Sequence, residues 1–315
     1  MAERPLTVET WDLGDGPPPG APAPPALRGY EVHEELGRGA MGRVYRALDK
    51  KAGRWVALKV SSTAEPERLA RFAAEVELQS QLHHPAVPRV LGAGRLGDGR
   101  AYIVQTLVRG ARTLDLAARG APWVQRVEWL AVAAEALAVA HGRCVAHGDV
   151  KPENLLVDER GRLSLIDWGV SRLAACGAPD PAEPGPAYEA LARQDAGWVM
   201  GTLAYMPPEQ LRGRTEPASD VYALGVVLTE LLAGKHPRSA LLASPDLLIR
   251  DIQAGDLAPK LPAQLPPELH QLATRCLRAA PGLRPESVEA ARTLRRVARN
   301  ERRAQALAAR RPPPS

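Results

Sequence analysis

The chain has 315 residues, 45% of them apolar and 24% charged, which excludes wholesale disorder and leaves room for one large domain or two lobes with separate cores. Its formal charge of +5 is local: from Glu286 to Ser315 eight arginines stand against three glutamates, so the remainder is balanced. The longest apolar-dominated run, Val221 to Gly234, falls short of the roughly 20 residues a membrane-spanning helix needs and contains Glu230, so it reads as a buried core helix.

In chain order, residues 1–29 read as a disordered Pro-rich leader, with the tract Gly14 to Ala26 (GDGPPPGAPAPPA) as an extended linker. No apolar segment follows Glu3 and Arg4 and no lipidation signal closes the sequence, which points to the cytoplasm. Trp11 is an isolated aromatic in a polar stretch, the pattern of a docking peptide. Folded sequence starts near Tyr30 with β-like runs (YEVHEELG, RVYRAL, WVALKV, AYIVQTL), interrupted by a helical stretch from Glu67 to Leu82. Beyond Thr113 helices dominate, and Val127, Leu130, Ala134, Leu137 and His141 recur at the spacing of an amphipathic stripe. A second Pro/Gly/Ala tract, Ala174 to Pro186, reads as a mobile loop inside the folded region. Residues 301–315 form a basic tail without aromatic interleaving, which favours a solvated helix extension over a nucleic-acid or membrane contact.

Cys144, Cys176 and Cys276 have neither CxxC spacing nor zinc-finger histidines, so no disulfide framework or structural metal is expected. Cys144 and Cys276 are taken as core thiols, and Cys176 as a bystander in the loop. His83, His84, His141 and His147 show no ligand spacing that would favour a metal site.

The chemistry starts at LGRGAMGRVY, where Gly37, Gly39 and Gly42 spell GxGxxG and the missing Cβ atoms let backbone N–H groups approach phosphate oxygens. A dinucleotide loop of the same spelling leads into a helix; here the β-like RVYRAL follows, so a glycine-rich hairpin over a nucleotide fits better. Lys59, in the otherwise apolar VALKV, reads as a phosphate contact aimed by the carboxylate of Glu75 on the following helix. HGDVKPEN, at 147 to 154, gathers Asp149, Lys151 and Asn154 beside the stiffening Pro152.

These motifs, followed by DWG at 167–169, PPE at 207–209 and DVYALG at 220–225, resemble in their order the protein kinases, and within them the eukaryotic-type serine/threonine kinases of bacteria. The resemblance spans roughly Tyr30 to Arg299. It implies an α+β, bilobal protein kinase domain over 30–300: an N-terminal antiparallel β-sheet lobe with one main helix, about 30–107, and a mostly α-helical C-terminal lobe, about 109–300. It further implies ATP and Mg2+ as cofactors and protein substrates as partners. Asp149 is then the acceptor of the hydroxyl proton, Lys151 neutralises the moving phosphoryl group, and Asn154 and Asp167 are the metal ligands. Leu36 opens the glycine loop, and Val44 and Ala57 above and Leu156 below enclose the adenine. Gln105 falls at the gatekeeper position, with Thr106 and Val108 as hinge residues. Glu209 is expected to pair with Arg284, and Asp220 to pin the catalytic loop. Lys151 and Thr202 imply a serine/threonine preference.

Two positions depart from the family. Gly148 replaces the arginine that receives an activation-loop phosphate, and between Gly169 and Glu209 only Ser171, Tyr188, Thr202 and Tyr205 carry hydroxyls, so activity without activation-loop phosphorylation is expected. Trp168 replaces the usual phenylalanine and is expected to pack against the Glu75 helix. A pseudokinase acting as a nucleotide-binding or scaffolding module is the alternative, and a small-molecule kinase is a third reading against which GTLAYMPPE argues.

Overall fold

The computed structural model describes residues 24–39, 42–168, 172–173 and 202–309, apart from the side chains of Glu67, Arg71, Glu75, Arg172 and Leu173. Trp11, nearly all of the leader tract, Ser171, the 174–186 insert with Cys176, Tyr188 and residues 310–315 lie outside that description, as does the expected carboxylate of Glu75.

Strands β1 (Tyr30–Gly39), β2 (Gly42–Asp49), β3 (Arg54–Ser61), β4 (Val90–Arg95) and β5 (Ala101–Thr106) form one antiparallel sheet in the order β1-β2-β3-β5-β4. The glycine-rich segment is therefore a hairpin, Gly39 paired with Gly42, with no helix after it. Gly42 is obligatory: a Cβ there would lie 2.0 Å from the carbonyl oxygen of Val60 on the neighbouring strand. Period-2 alternation then divides β3 between two tasks. Val56, Leu58 and Val60 join Tyr45, Ala47, Leu96 and Val104 in the lobe's core, while Ala57 and Lys59 turn to the opposite face. Register keeps the division intact across strands, with Val44 opposite Lys59, and Arg46 and Gln105 flanking Ala57. A one-residue slip would exchange the core for the cleft. Helix α1 (Pro66–Gln81), started by Pro66 in its first turn, covers the cleft-side face with Leu69 and Phe72.

The second lobe runs through β6 (Arg112–Thr113), α2 (Leu114–Ala118), α3 (Trp123–His141), β7 (Val145–Ala146), β8 (Leu155–Val157), β9 (Leu163–Leu165), β10 (Arg172–Leu173), α4 (Pro208–Leu211), α5 (Pro217–Ala233), α6 (Pro245–Ala254), α7 (Pro267–Cys276) and α8 (Ser287–Ala308). Helix α3 buries ten of its nineteen residues, from Val124 to Ala140, because α5 and α8 pack on it, while Gln125, Glu128, Val132, Glu135 and Val139 form a half-exposed strip. The stripe expected there is buried, His141 partly so, and the enclosed surface extends beyond it to Trp129, Ala133, Ala136 and Ala140. Helix α5 is the buried core helix anticipated at Val221–Gly234, starting one turn earlier at Pro217 and ending on Gly234 at φ +73, the left-handed stop that glycine adopts freely. Helix α8 continues past residue 300, with Arg302 paired to Glu128 on α3 at 2.8 Å and Arg295 to Glu135 at 2.6 Å. No helix among the described residues is long and apolar enough to cross a membrane.

Cys144 is not the core thiol expected. It sits at φ +58 on the turn between α3 and β7, half-buried and disulfide-bonded, because that turn brings the side chain toward the surface. Cys276 is the buried free thiol, and burial pushes its pKa up to about 12.

Glu209 on α4 and Arg284 form a buried bidentate pair, at 2.6 and 2.9 Å, that ties the segment entering α4 to the distal end of the lobe. The remaining guanidinium donors reach the carbonyls of Ala218, Arg278 and Ala279, and Ser219 Oγ donates to Glu209 Oε1. Removing one partner of such a pair leaves a buried charge behind. Glu209→Ala is expected to lower the free energy of unfolding by about 3–5 kcal/mol. Denaturant titration checks this, and a loss below about 1 kcal/mol, the range of an exposed pair, would show that the arginine is not held as described.

Candidate active site

Between the lobes lies a cavity of about 440 Å³ lined by Leu36, Val44, Ala57, Lys59, Gln105, Thr106, Val108, Leu156 and Asp167, among others. These are the residues the sequence placed around a nucleotide. Gly37, Gly39 and Gly42 do not line it themselves; they shape the hairpin that carries Leu36 and Val44 to its roof. Arg46, Trp55 and Glu34 were missed. The Arg46 guanidinium lies over the Trp55 ring, 4.1 Å from its centroid, and pairs with Glu34 at 2.6 Å, closing the mouth. Alternation from Val44 and Ala57 was the available signal, since Arg46 and Trp55 are each two residues away on the same face.

Charge concentrates at the inner end. Lys59 Nζ donates to Asp167 Oδ1 at 2.8 Å across 108 positions of sequence, linking the sheet to the lower lobe. Burial alone would raise the Asp167 carboxyl, but Lys59, with Lys151 and His147 farther off, holds it below the usual carboxylate range. Asp167 takes a left-handed backbone, φ +63, which a non-glycine residue keeps only where its surroundings impose it. Next to it Trp168 is fully buried: its ring meets His147 edge-on at 4.6 Å and its indole N–H donates to the Leu165 carbonyl at 3.2 Å.

The loop 147–154 holds Asp149, Lys151 and Asn154, all buried, beside that charged end, with Lys151 near enough to Asp167 to act on its carboxyl. Asp149 Oδ2 accepts from Lys151 Nζ at 2.9 Å and from Asn154 Nδ2 at 3.0 Å, whereas Oδ1 has no hydrogen-bond partner among the described residues. Asn154 Nδ2 also reaches the Asp149 carbonyl at 2.8 Å, so two acceptors fix the amide's orientation and direct its oxygen away from the loop. Asn154 Oδ1 and Asp167 Oδ2 remain without a partner among the described residues, two hard oxygen donors suited to a small divalent cation. Lys151, lowered by burial but raised more by Asp149, stays charged and also donates to Thr202 Oγ1 at 2.9 Å.

The loop's backbone is held from below. Asp220 on α5 accepts from the N–H of His147 and of Gly148, each at 2.7 Å, and contacts His141 Nε2 at 2.8 Å. Gly148 has φ +82, a conformation glycine takes without steric penalty, and its carbonyl accepts from Gln210 Nε2 at 2.9 Å.

One acidic group adjoins the loop. Tyr205 OH donates to Glu230 Oε2 at 2.7 Å, while Glu153 Oε2 is buried with no hydrogen-bond partner. Burial, first, raises both carboxyls; the negative charges of Asp115 and Asp149 add to this at Glu153, and those of Glu153 and Asp115 at Glu230, which is taken to about 7.

Residues 30–294 match the protein kinase domain family. The chain belongs to the protein kinase family. It is 33% identical over 270 residues to the serine/threonine-protein kinase PknA of Mycobacterium tuberculosis, covering 81% of this chain and 58% of that protein. It is 32% identical over 286 residues to the serine/threonine-protein kinase pkn3 of Myxococcus xanthus, covering 87% and 50% respectively. The chain thus spans a little over half the length of the curated relatives it matches.

Proposed function

We propose that this chain is a serine/threonine protein kinase of cytoplasmic signalling, transferring the γ-phosphoryl group of ATP to protein hydroxyls. The observation that carries this reading is the half-clamped carboxylate of Asp149. One oxygen is fixed by Lys151 and Asn154 and the other is left open, in the cleft where Lys59 and Asp167 meet. A carboxylate so oriented can accept a proton from an incoming hydroxyl without first reorganising. The names of the relatives support the substrate class, and the full set of charged residues favours activity over a pseudokinase.

In this reading ATP, with Mg2+, supplies the transferable phosphoryl group and the positive charge that offsets its oxygens. Asn154 Oδ1 and the Asp167 carboxylate would hold the metal, and Lys59, aimed by Asp167 and by Glu75, the α and β phosphates. Leu36, Val44, Ala57 and Leu156 would enclose the adenine, with Gln105, Thr106 and Val108 along its edge. Lys151 would stand beside the moving group while its contact with Thr202 positions the acceptor platform.

The two described hydroxyls of the activation segment are engaged: Thr202 accepts from Lys151 and Tyr205 donates to Glu230, and both are buried. With no side chain at 148 to receive a phosphate, we propose that activity needs no phosphorylation of this segment. The unpartnered Glu153 oxygen and Glu230 favour a substrate with a basic side chain near its acceptor, the chemistry that would satisfy two buried carboxylates.

Asp149→Asn is expected to lower the rate with ATP, Mg2+ and a generic basic protein by about 10² to 10⁴-fold with its thermal unfolding unchanged. Phosphate incorporation equal to wild type would defeat the mechanism. Phosphatase-treated protein is expected to keep its full initial rate; a rate that collapses and returns with mapped loop phosphorylation would refute independence from that modification. For an arginine-containing peptide KM should fall as pH rises through about 7, because Glu230 must lose its proton to pair with the cation. A Glu230→Gln variant should flatten that profile, and a wild-type KM indifferent to pH would remove the substrate assignment.

A further inference from the structure

Gln105 is joined to a second amide that kinase motifs do not specify. Gln79, near the end of α1 and only 3% exposed, donates from Nε2 to the Pro88 carbonyl at 2.7 Å and to Gln105 Oε1 at 2.9 Å. The orientation of both amides follows from one group. A carbonyl only accepts, so the Gln79 atom facing Pro88 is its nitrogen, and the Gln105 atom facing that nitrogen is an oxygen. The Gln105 nitrogen is thereby assigned to the other side. It has no hydrogen-bond partner among the described residues and is not sealed from the cavity that Gln105 lines.

A free glutamine can offer a base either its donor or its acceptor, and so discriminates little. Here the oxygen is turned toward Gln79, which leaves the nitrogen as the group on the opposite side of the amide. The backbone groups of Val108, farther along the same wall, make no hydrogen bond among the described residues either, and supply the donor and acceptor that a Watson–Crick edge requires. A purine set with that edge against Val108 and its 6-amino group on the Gln105 side brings N7, the acceptor next to that amino group, toward Gln105.

We infer that Gln105 is a base-reading residue, donating from Nε2 to N7 of a bound purine nucleotide, and that Gln79 is the positioning residue that keeps this donor facing the cavity. The inference rests on the proposal that ATP occupies this cleft, and deepens it by naming the edge that is read. A pyrimidine offers no atom in that place, so the relay contributes to selection for purines.

The test compares the dissociation constants of ATP and 7-deaza-ATP, in which carbon replaces N7, by competition with a fluorescent nucleotide in the presence of Mg2+. Wild-type protein is expected to bind 7-deaza-ATP about tenfold more weakly, the scale of one hydrogen bond together with the donor left unmatched. Gln105→Met should bring the two constants together, and Gln79→Leu, checked for an intact thermal transition, should shrink their ratio because the freed amide can turn. Equal constants in the wild type overturn the inference while leaving nucleotide binding in place, as does a ratio that survives in Gln105→Met. Failure of both nucleotides to bind overturns the inference together with the proposal beneath it.

Discussion

A carboxylate at the start of a buried helix holds the 147–154 loop in place. Asp220 is 1% exposed, and a charge so placed is tolerable only when hydrogen-bond donors surround it. The chain supplies two of them as consecutive backbone N–H groups, His147 and Gly148, immediately before Asp149. The same carboxylate meets His141 at the end of α3, whose other ring nitrogen reaches Ser287 on α8. One buried charge thus joins three helices to the loop that carries Asp149, Lys151 and Asn154. It also accounts for the left-handed turn at 148, because two adjacent N–H groups converge on one acid only if the chain bends sharply between them.

Above this foundation the cleft is organised by charge pairs that cross between lobes or stay within the loop. Lys59 reaches Asp167 from the sheet, and Lys151 and Asn154 brace Asp149 from one side. Groups aligned in advance in a partly dry cleft stabilise developing charge far better than flexible ones in water. His147 completes the frame: its Nδ1 accepts from the Asp149 N–H and its Nε2 contacts the Ile166 carbonyl, connecting the strands that deliver Asp149 and Asp167.

The sequence was most legible where side-chain type and spacing carry the chemistry. The alternation in VALKV already separated core from cleft, and the motif order brought Asp149, Lys151, Asn154 and Asp167 together across long separations. Burial that depends on how many neighbours a helix receives was less legible. The stripe on α3 marked one packed face, and only the placement of α5 and α8 shows that the buried surface extends to Trp129, Ala133, Ala136 and Ala140. Gln79 was illegible for a related reason. A glutamine in a helix is ordinarily a solvated residue, and nothing in its neighbours announces the Pro88 carbonyl, nine positions on, to which it is fixed. Cys144 misled because it stands at a boundary: Val145 and Ala146 after it are buried, whereas Gly142 and Arg143 before it are exposed.

Trp168 has a practical consequence. Its indole is the largest fully buried side chain among the described residues, shielded from water and adjacent in the chain to Asp167. An indole in such surroundings emits at shorter wavelength than a hydrated one, so the protein carries an intrinsic optical probe one residue from its metal-binding candidate. The chain has six tryptophans, so the difference from a Trp168→Phe variant isolates this one, and rearrangement of the segment would register in that difference as a red shift without any attached dye.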